Sequence, residues 1–230
     1  MQLADMERLA TIGKLASKVA HELNNPMDGI LRYINLALRS IEQQNLEKPK
    51  EYLLQCRQGL MRMVQIVSEL LEFARSTYNT SEEHVKVKQI IEDAIKTMDV
   101  KAEGSNIRII RNYHPDVPQI RSGNLFQVFC NLIKNAMDAM PNGGELHIST
   151  RMTDDNTAVI EFRDTGTGFA PEDADAVFEP FFTTKEKGTG TGLGLAICKD
   201  IVSKYRGRIT AENAPQGGSI FTVYLPTAGN

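Results

Sequence analysis

Tryptophan is absent from the 230 residues, and aromatic side chains make up only 7% of them. Recognition of single-stranded nucleic acid rests on stacking platforms, so that class of function is set aside. An excess of one charge is missing too: 26 Lys and Arg stand against 29 Asp and Glu, a formal net charge of -3. No global field draws the chain to nucleic acid or to an anionic membrane, and any anion it binds must be held by a local site. Apolar runs fall short of the roughly 18 to 20 residues that span a bilayer. The start, MQLADMERLA, has no basic segment leading into an apolar one. The chain therefore reads as cytoplasmic. Cysteine is scarce, with Cys56, Cys130 and Cys198 far apart, each in a helix-like pattern with no second Cys or His at metal-ligand spacing. Buried, reduced thiols are expected. What remains, 41% hydrophobic and 24% charged, is an ordinary globular composition sufficient for one large domain or two modest ones.

The first eighty residues differ from the rest. Apolar residues recur at Leu9, Ile12, Ala16, Val19, Leu23, Met27, Ile30, Ile34, Ala37 and Ile41, always three or four apart, which is helical spacing. The stretch from Asn45 to Pro49 interrupts it, and a second run passes through Tyr52, Leu53, Cys56, Leu60, Met63, Val67, Leu70, Leu71 and Phe73. A helical hairpin is predicted over 1–78. Its first helix, from about residue 3 to 43, would be ~60 Å long, and two such helices cannot bury their apolar stripes on each other alone. A homodimeric four-helix bundle is the expected solution. The polar segment from Ser76 to Glu83 suits a linker, set at 79–84. Over 85–230 strands alternate with helices: strands near Val85, at 107–113, 119–121, 145–152, 158–163, 208–212 and 219–225, and helices at 87–101, 124–140 and 193–205. The expected fold class is multidomain, α followed by an α+β sandwich.

Four clusters carry chemistry. His21 lies about 200° around the helix from Val19 and Leu23, so its imidazole faces solvent and is available as a nucleophile. Glu22 beside it can orient one ring nitrogen and raise the nucleophilicity of the other. Asn25 lies one turn on, where an amide can position water, and Pro26 removes the N–H that would bond the carbonyl of Glu22, favouring a bend there. Second, Asn131, Asn135 and Asp138 share one face of a helix whose other side is apolar, and neutral amide oxygens suit a Mg²⁺ that shares its charge with phosphates. Third and fourth are two glycine-rich runs, Asp164-Thr165-Gly166-Thr167-Gly168-Phe169 after a strand and Gly188-Thr189-Gly190-Thr191-Gly192-Leu193-Gly194-Leu195 entering a helix. Helix N-termini and glycine backbones accommodate phosphate oxygens. Neither run is a Walker A motif or a dinucleotide fingerprint. Between them Phe178-Glu179-Pro180-Phe181-Phe182-Thr183-Thr184-Lys185 reads as a lid anchored by its Phe residues, which also pack as core.

In this order, HELNNP from His21, the Asn-rich helix, DTGTGF, FEPFFTTK and GTGTGLGL resemble the H, N, G1, F and G2 boxes of bacterial sensor histidine kinases. Together with NLIKNAMDAMPNGGEL they look most like the nitrogen-regulation and PAS-linked branch, and the resemblance covers nearly the whole chain. It implies a dimerisation and histidine-phosphotransfer hairpin followed by an ATP-binding domain of the Bergerat type, shared by gyrase, Hsp90, histidine kinases and MutL. The implied roles are phospho-acceptor for His21, acid-base partner for Glu22, and support of response-regulator dephosphorylation for Asn25. Asn135 would be the Mg²⁺ ligand with Asn131 nearby, and Asp164 would read the adenine amino group. Gly166 and Gly168 would let ATP approach, Gly190, Gly192 and Gly194 would shape the phosphate-facing loop and helix start, and Lys185 would contact the terminal phosphate. The implied partners are a second copy of the chain and a response-regulator receiver domain. Membrane attachment is expected only through a sensor region absent from this chain.

The expected activity is that of a protein histidine kinase: ATP-dependent autophosphorylation on His21, phosphotransfer to an Asp of the regulator, and dephosphorylation of that regulator. Two alternatives keep the fold, a phosphatase-dominant protein and a catalytically silent ATP-binding scaffold. A chaperone-like or topoisomerase-like ATPase clamp would have no histidine-bearing hairpin in front of its nucleotide domain.

Overall fold

The computed structural model describes residues 2–45, 47–75, 84–102, 106–115, 117, 119–121, 123–185 and 190–227. The linker expected at 79–84 lies outside the described residues except for His84, and so do Gly188 and Thr189 of the second glycine-rich run. The chain divides into two compact units, the first made chiefly of residues up to Ala74 and the second beginning at Arg75.

The first unit is the expected hairpin, α1 (Gln2–Glu42) and α2 (Lys48–Arg75). Pro26 lies inside α1, which continues through it. The turn is closed by Ser40, whose carbonyl accepts the N–H of Asn45 at 2.9 Å and whose hydroxyl donates to the Asn45 carbonyl at 2.9 Å. The helices meet along an inner seam where Ala37, Ser40, Cys56 and Ile66 are buried. They approach closely at Gly59, where a Cβ would stand 2.8 Å from the Cγ1 of Ile30. Higher up, the rings of Tyr33 and Tyr52 stack at 6.2 Å. A second seam faces outward: Met27, Leu31, Ile34, Leu38 and Ile41 on α1, and Leu53, Leu60, Val64, Val67 and Leu71 on α2, are all exposed. Their spacings of four, three and seven are those of a heptad stripe.

The second unit holds β1 (His84–Lys86), α3 (Val87–Ala102), β2 (Ile107–Tyr113), β3 (Gln119–Arg121), α4 (Leu125–Asp138), β4 (Gly144–Met152), β5 (Thr157–Asp164), α5 (Gly194–Lys204), β6 (Arg208–Asn213) and β7 (Ser219–Pro226). Five strands form one sheet in the order β2-β4-β5-β7-β6, and β1 pairs with β3 in a separate small one. Only β2–β4 is parallel within the larger sheet. Alternate residues of β4 and β5, Leu146, Ile148, Ala158, Ile160 and Phe162, are buried on the side of the sheet covered by α4, whose Leu125, Val128, Phe129, Leu132 and Ile133 are buried in turn, while α5, with Ile197 and Ile201 buried, packs on β6 and β7. The rings of Phe129 and Phe162 tilt together at 5.6 Å. This is the expected sandwich, with element ends displaced by one or two residues. Two 3₁₀ turns, at 171–173 and 176–178, occupy the glycine-poor middle of the stretch between β5 and α5.

Candidate active site

On α1 the imidazole of His21 is exposed, as its angular position requires. Its Nδ1 lies 3.3 Å from the Nδ2 of Asn25. Glu22 turns the other way and accepts from the Arg62 guanidinium of α2 at 3.4 Å, both side chains about a quarter exposed. The geometry of the helix accounts for this division: residues four apart share a face, whereas immediate neighbours point about 100° apart. Asn25, rather than Glu22, is therefore the side chain in contact with the ring. An asparagine amide can offer either N–H or C=O to Nδ1, so it is compatible with both neutral tautomers.

In the second unit α4 supplies the polar face expected of it. Asn131 donates from Nδ2 to the carbonyl of Gly194 at 3.3 Å, joining α4 to the first turn of α5. Asn135 is half-buried, and its amide makes no hydrogen bond within the described residues. Its oxygen is thus available to a cation. No cluster of three His, Cys, Asp or Glu able to hold a metal occurs among the described residues, so a divalent ion here would draw on water and phosphate oxygens, the habit of Mg²⁺. Asp138, a turn beyond Asn135, accepts from the Lys185 ammonium at 2.6 Å. Lys185, expected to meet a terminal phosphate, is thus held by an internal anion.

Asp164 ends β5 and is 1% exposed. Its Oδ1 accepts the N–H of Gly166 at 2.8 Å and of Ser219 at 3.2 Å, and its Oδ2 accepts the Ser219 hydroxyl at 2.5 Å. Three donors fix the carboxylate as an acceptor, able to read a further N–H such as an exocyclic amine. Gly218 lets the strands approach: it has φ +88, and a Cβ there would lie 2.0 Å from the carbonyl oxygen of Asp164. At Gly166 a Cβ would strike the carbonyl of Ala139 at 2.6 Å, so this glycine brings the Asp164 turn against the end of α4. Gly192, with φ +68, accepts the N–H of Phe181 at 2.8 Å, and a Cβ on it would lie 2.4 Å from the Phe181 carbonyl carbon. Phe178 and Phe181 are buried, the former edge-on to Phe221. They anchor the segment as the sequence suggested. Gly190 and Gly194 are half-buried, as is Gly168, whose turn is tied down by Asn213, the side chain of which accepts from the Phe169 N–H and donates to its carbonyl.

Sequence reading did not mark Ser219 or Arg62. A serine directly after Gly217-Gly218 at a strand start was the available signal for the first. Nothing but the register of the hairpin points to the second.

Residues 11–79 match the His Kinase A (phospho-acceptor) domain, and residues 121–229 match the histidine kinase-, DNA gyrase B-, and HSP90-like ATPase. Sporulation kinase E of Bacillus subtilis is 32% identical across 100% of this chain and 30% of its own length. The sensor histidine kinase ZraS of Klebsiella oxytoca is 33% identical across 98% of this chain and 48% of its own. The first-ranking curated relatives are thus spanned by the chain over 30% to 50% of their length. Among solved structures, histidine kinase ThkA in complex with the response regulator protein TrrA superposes with a TM-score of 0.76 at 26% identity, covering 97% of this chain and 64% of that one.

Proposed function

The chain belongs to the bacterial two-component histidine kinases, of which it is the catalytic core, and from that premise we propose that it autophosphorylates His21 from ATP and passes the phosphoryl group to an Asp of a response regulator. The observation that carries the reading is the pairing, in one chain, of a solvent-facing His21 on a hairpin with a buried, three-fold hydrogen-bonded Asp164 beside an Asn-bearing helix.

In the proposed reaction a ring nitrogen of His21 attacks the γ-phosphorus in line with the bond to ADP; the N–P bond forms as that P–O bond breaks. Such transfer depends on positioning and charge neutralisation more than on covalent help. Asp164 orients the adenine through its amino group, and the backbone at Gly192 and Gly194 faces the phosphates. The Asn135 oxygen would hold a Mg²⁺ that, when bound, offsets negative charge on the transferring group. Asn25 holds the imidazole at Nδ1 in either neutral tautomer, and Glu22 takes up the ring proton once it leaves Arg62. The response regulator as partner is supported by the ThkA complex with TrrA. Self-association is supported by the exposed heptad stripes of α1 and α2, which a single hairpin leaves uncovered. The unit would work in the cytoplasm, where thiols such as Cys56 and Cys198 stay reduced. No described helix is long and apolar enough to cross a membrane.

The contact between Asn25 and His21 also favours a second activity at the same place, dephosphorylation of the regulator by a water held on the exposed amide. The decisive experiment is incubation with γ-labelled ATP and Mg²⁺ beside His21→Gln and Asn135→Ala. Acid-labile, base-stable label absent from both variants is expected. ATP binding without label in the wild type would leave the phosphatase or scaffold reading, with Asn25→Ala as the next variant.

A further inference from the structure

Lys185, expected to meet a phosphate, is already paired with a carboxylate of its own unit. Its ammonium lies 2.6 Å from Oδ2 of Asp138, a short charge-assisted bond, and its backbone N–H donates to the Thr183 hydroxyl at 3.2 Å. Asp138 is seven residues from Asn131 and three from Asn135, so all three lie within one narrow strip of α4. That strip is where the Asn135 oxygen is open to a cation, and where the chain of a nucleotide triphosphate would add several negative charges. A carboxylate in such a strip has two effects of the same sign. It occupies the lysine that would otherwise pair with a phosphate, and it repels the phosphate directly.

Resting on the nucleotide reading above, we propose that Asp138 is a specificity-determining residue that makes the site reject metal-free triphosphate. Its carboxylate holds Lys185 in place of a phosphate. Metal-free ATP must break that pair while bringing its full charge against Asp138. The Mg²⁺ complex carries two fewer negative charges and meets much less of the same opposition. Adenosine, which has no phosphate, meets none. Asp138 therefore sets which form of the nucleotide enters and takes no part in the transfer itself.

The test is nucleotide affinity of the full chain, wild type and Asp138→Asn, measured for ATP with EDTA, for ATP with Mg²⁺ and for adenosine. Asp138→Asn should tighten metal-free ATP by about three- to fivefold, the range open to a partly exposed ion pair. It should change the Mg²⁺ complex by less than about twofold and leave adenosine unmoved, which also reports an intact fold. On a Lys185→Met background the gain on metal-free ATP should shrink, because only the direct repulsion is left. An undiminished gain would remove the lysine from the proposal. Unchanged affinity for metal-free ATP in Asp138→Asn would overturn it, as would weakened binding of the Mg²⁺ complex, which would make the carboxylate a partner of the metal's water shell. A wild-type chain that binds no ATP in any form would overturn the nucleotide reading itself; binding that Asp138→Asn does not alter overturns the proposal alone.

Discussion

Asp164 offers two oxygens to three donors, and the two obvious substitutions should separate its structural role from its proposed adenine contact. In Asp164→Asn the amide oxygen can keep the N–H groups of Gly166 and Ser219, while the Ser219 hydroxyl rotates to accept from the new NH₂. The stability cost should stay below about 1 kcal/mol, yet an outward acceptor is lost and ATP affinity should collapse. Asp164→Ala strands buried donors and should cost about 2–4 kcal/mol in thermal or chemical denaturation. Equal destabilisation by both would show that the carboxylate charge, not its acceptor geometry, is what the fold requires. At this scale the sequence told much about which residue types matter and less about whom they touch. His21, Asn131, Asn135 and Asp164 stand out by type and spacing. The contacts of Glu22 with Arg62, Asp138 with Lys185 and Asp164 with Ser219 join residues 40, 47 and 55 positions apart, and no local periodicity carries that information.

Elements were legible wherever burial is one-sided. The 3.6-residue period of α4 and the alternation in β4 give their type directly, and the observed ends shift by a residue or two because the terminal turns contribute little burial. The parallel pairing of β2 with β4 was not legible, since alternation is the same in either direction. That pairing carries a charged rung on the open face. The hydrogen bonds that Glu145 accepts from Arg108 and then from His147 hold its carboxyl below the usual carboxylate range. A depressed folded-state value means stability that is present above the ordinary pKa of about 4.5 and lost as pH falls below it. Glu145→Gln should therefore show a smaller drop in melting temperature than wild type between about pH 6 and pH 3.5; an equal drop would assign the acid sensitivity elsewhere. The turn into β7 gives a paired test of backbone crowding. Gly217 has φ +95 with open space around its missing Cβ, so Gly217→Ala should cost only the left-handed strain, about 1–2 kcal/mol. Gly218→Ala adds a collision with the Asp164 carbonyl and should cost clearly more, about 3 kcal/mol or above, and weaken ATP binding with it.

At the scale of the whole molecule, the order of five boxes made the two-part architecture readable from the sequence, because the His21 box lies within the long α1 while the other four lie in the strand-and-helix unit that follows the hairpin. The outward stripe was readable as surplus hydrophobicity, but which apolar residues face inward and which outward depends on the pairing of the two helices. The inner seam takes Ile66 and several small residues, Ala37, Ser40, Cys56 and Gly59, and the outer takes Leu31, Leu38, Leu53, Leu60 and Leu71. Among the described residues a lone hairpin thus keeps many large apolar groups in water, and the self-association proposed above would tie its folding to a second copy. Heat capacity scans should reveal this as a matter of dilution. A transition belonging to the hairpin should move to lower temperature as the protein is diluted a hundredfold, by the mass action that links assembly to folding, while the transition of the nucleotide-binding unit stays where it is and responds to added ATP instead. Leu31→Glu with Leu60→Glu should abolish the first transition and spare the second. Two melting events, one set by how much protein is present and one by how much nucleotide, would mean that abundance itself is an input to this chain.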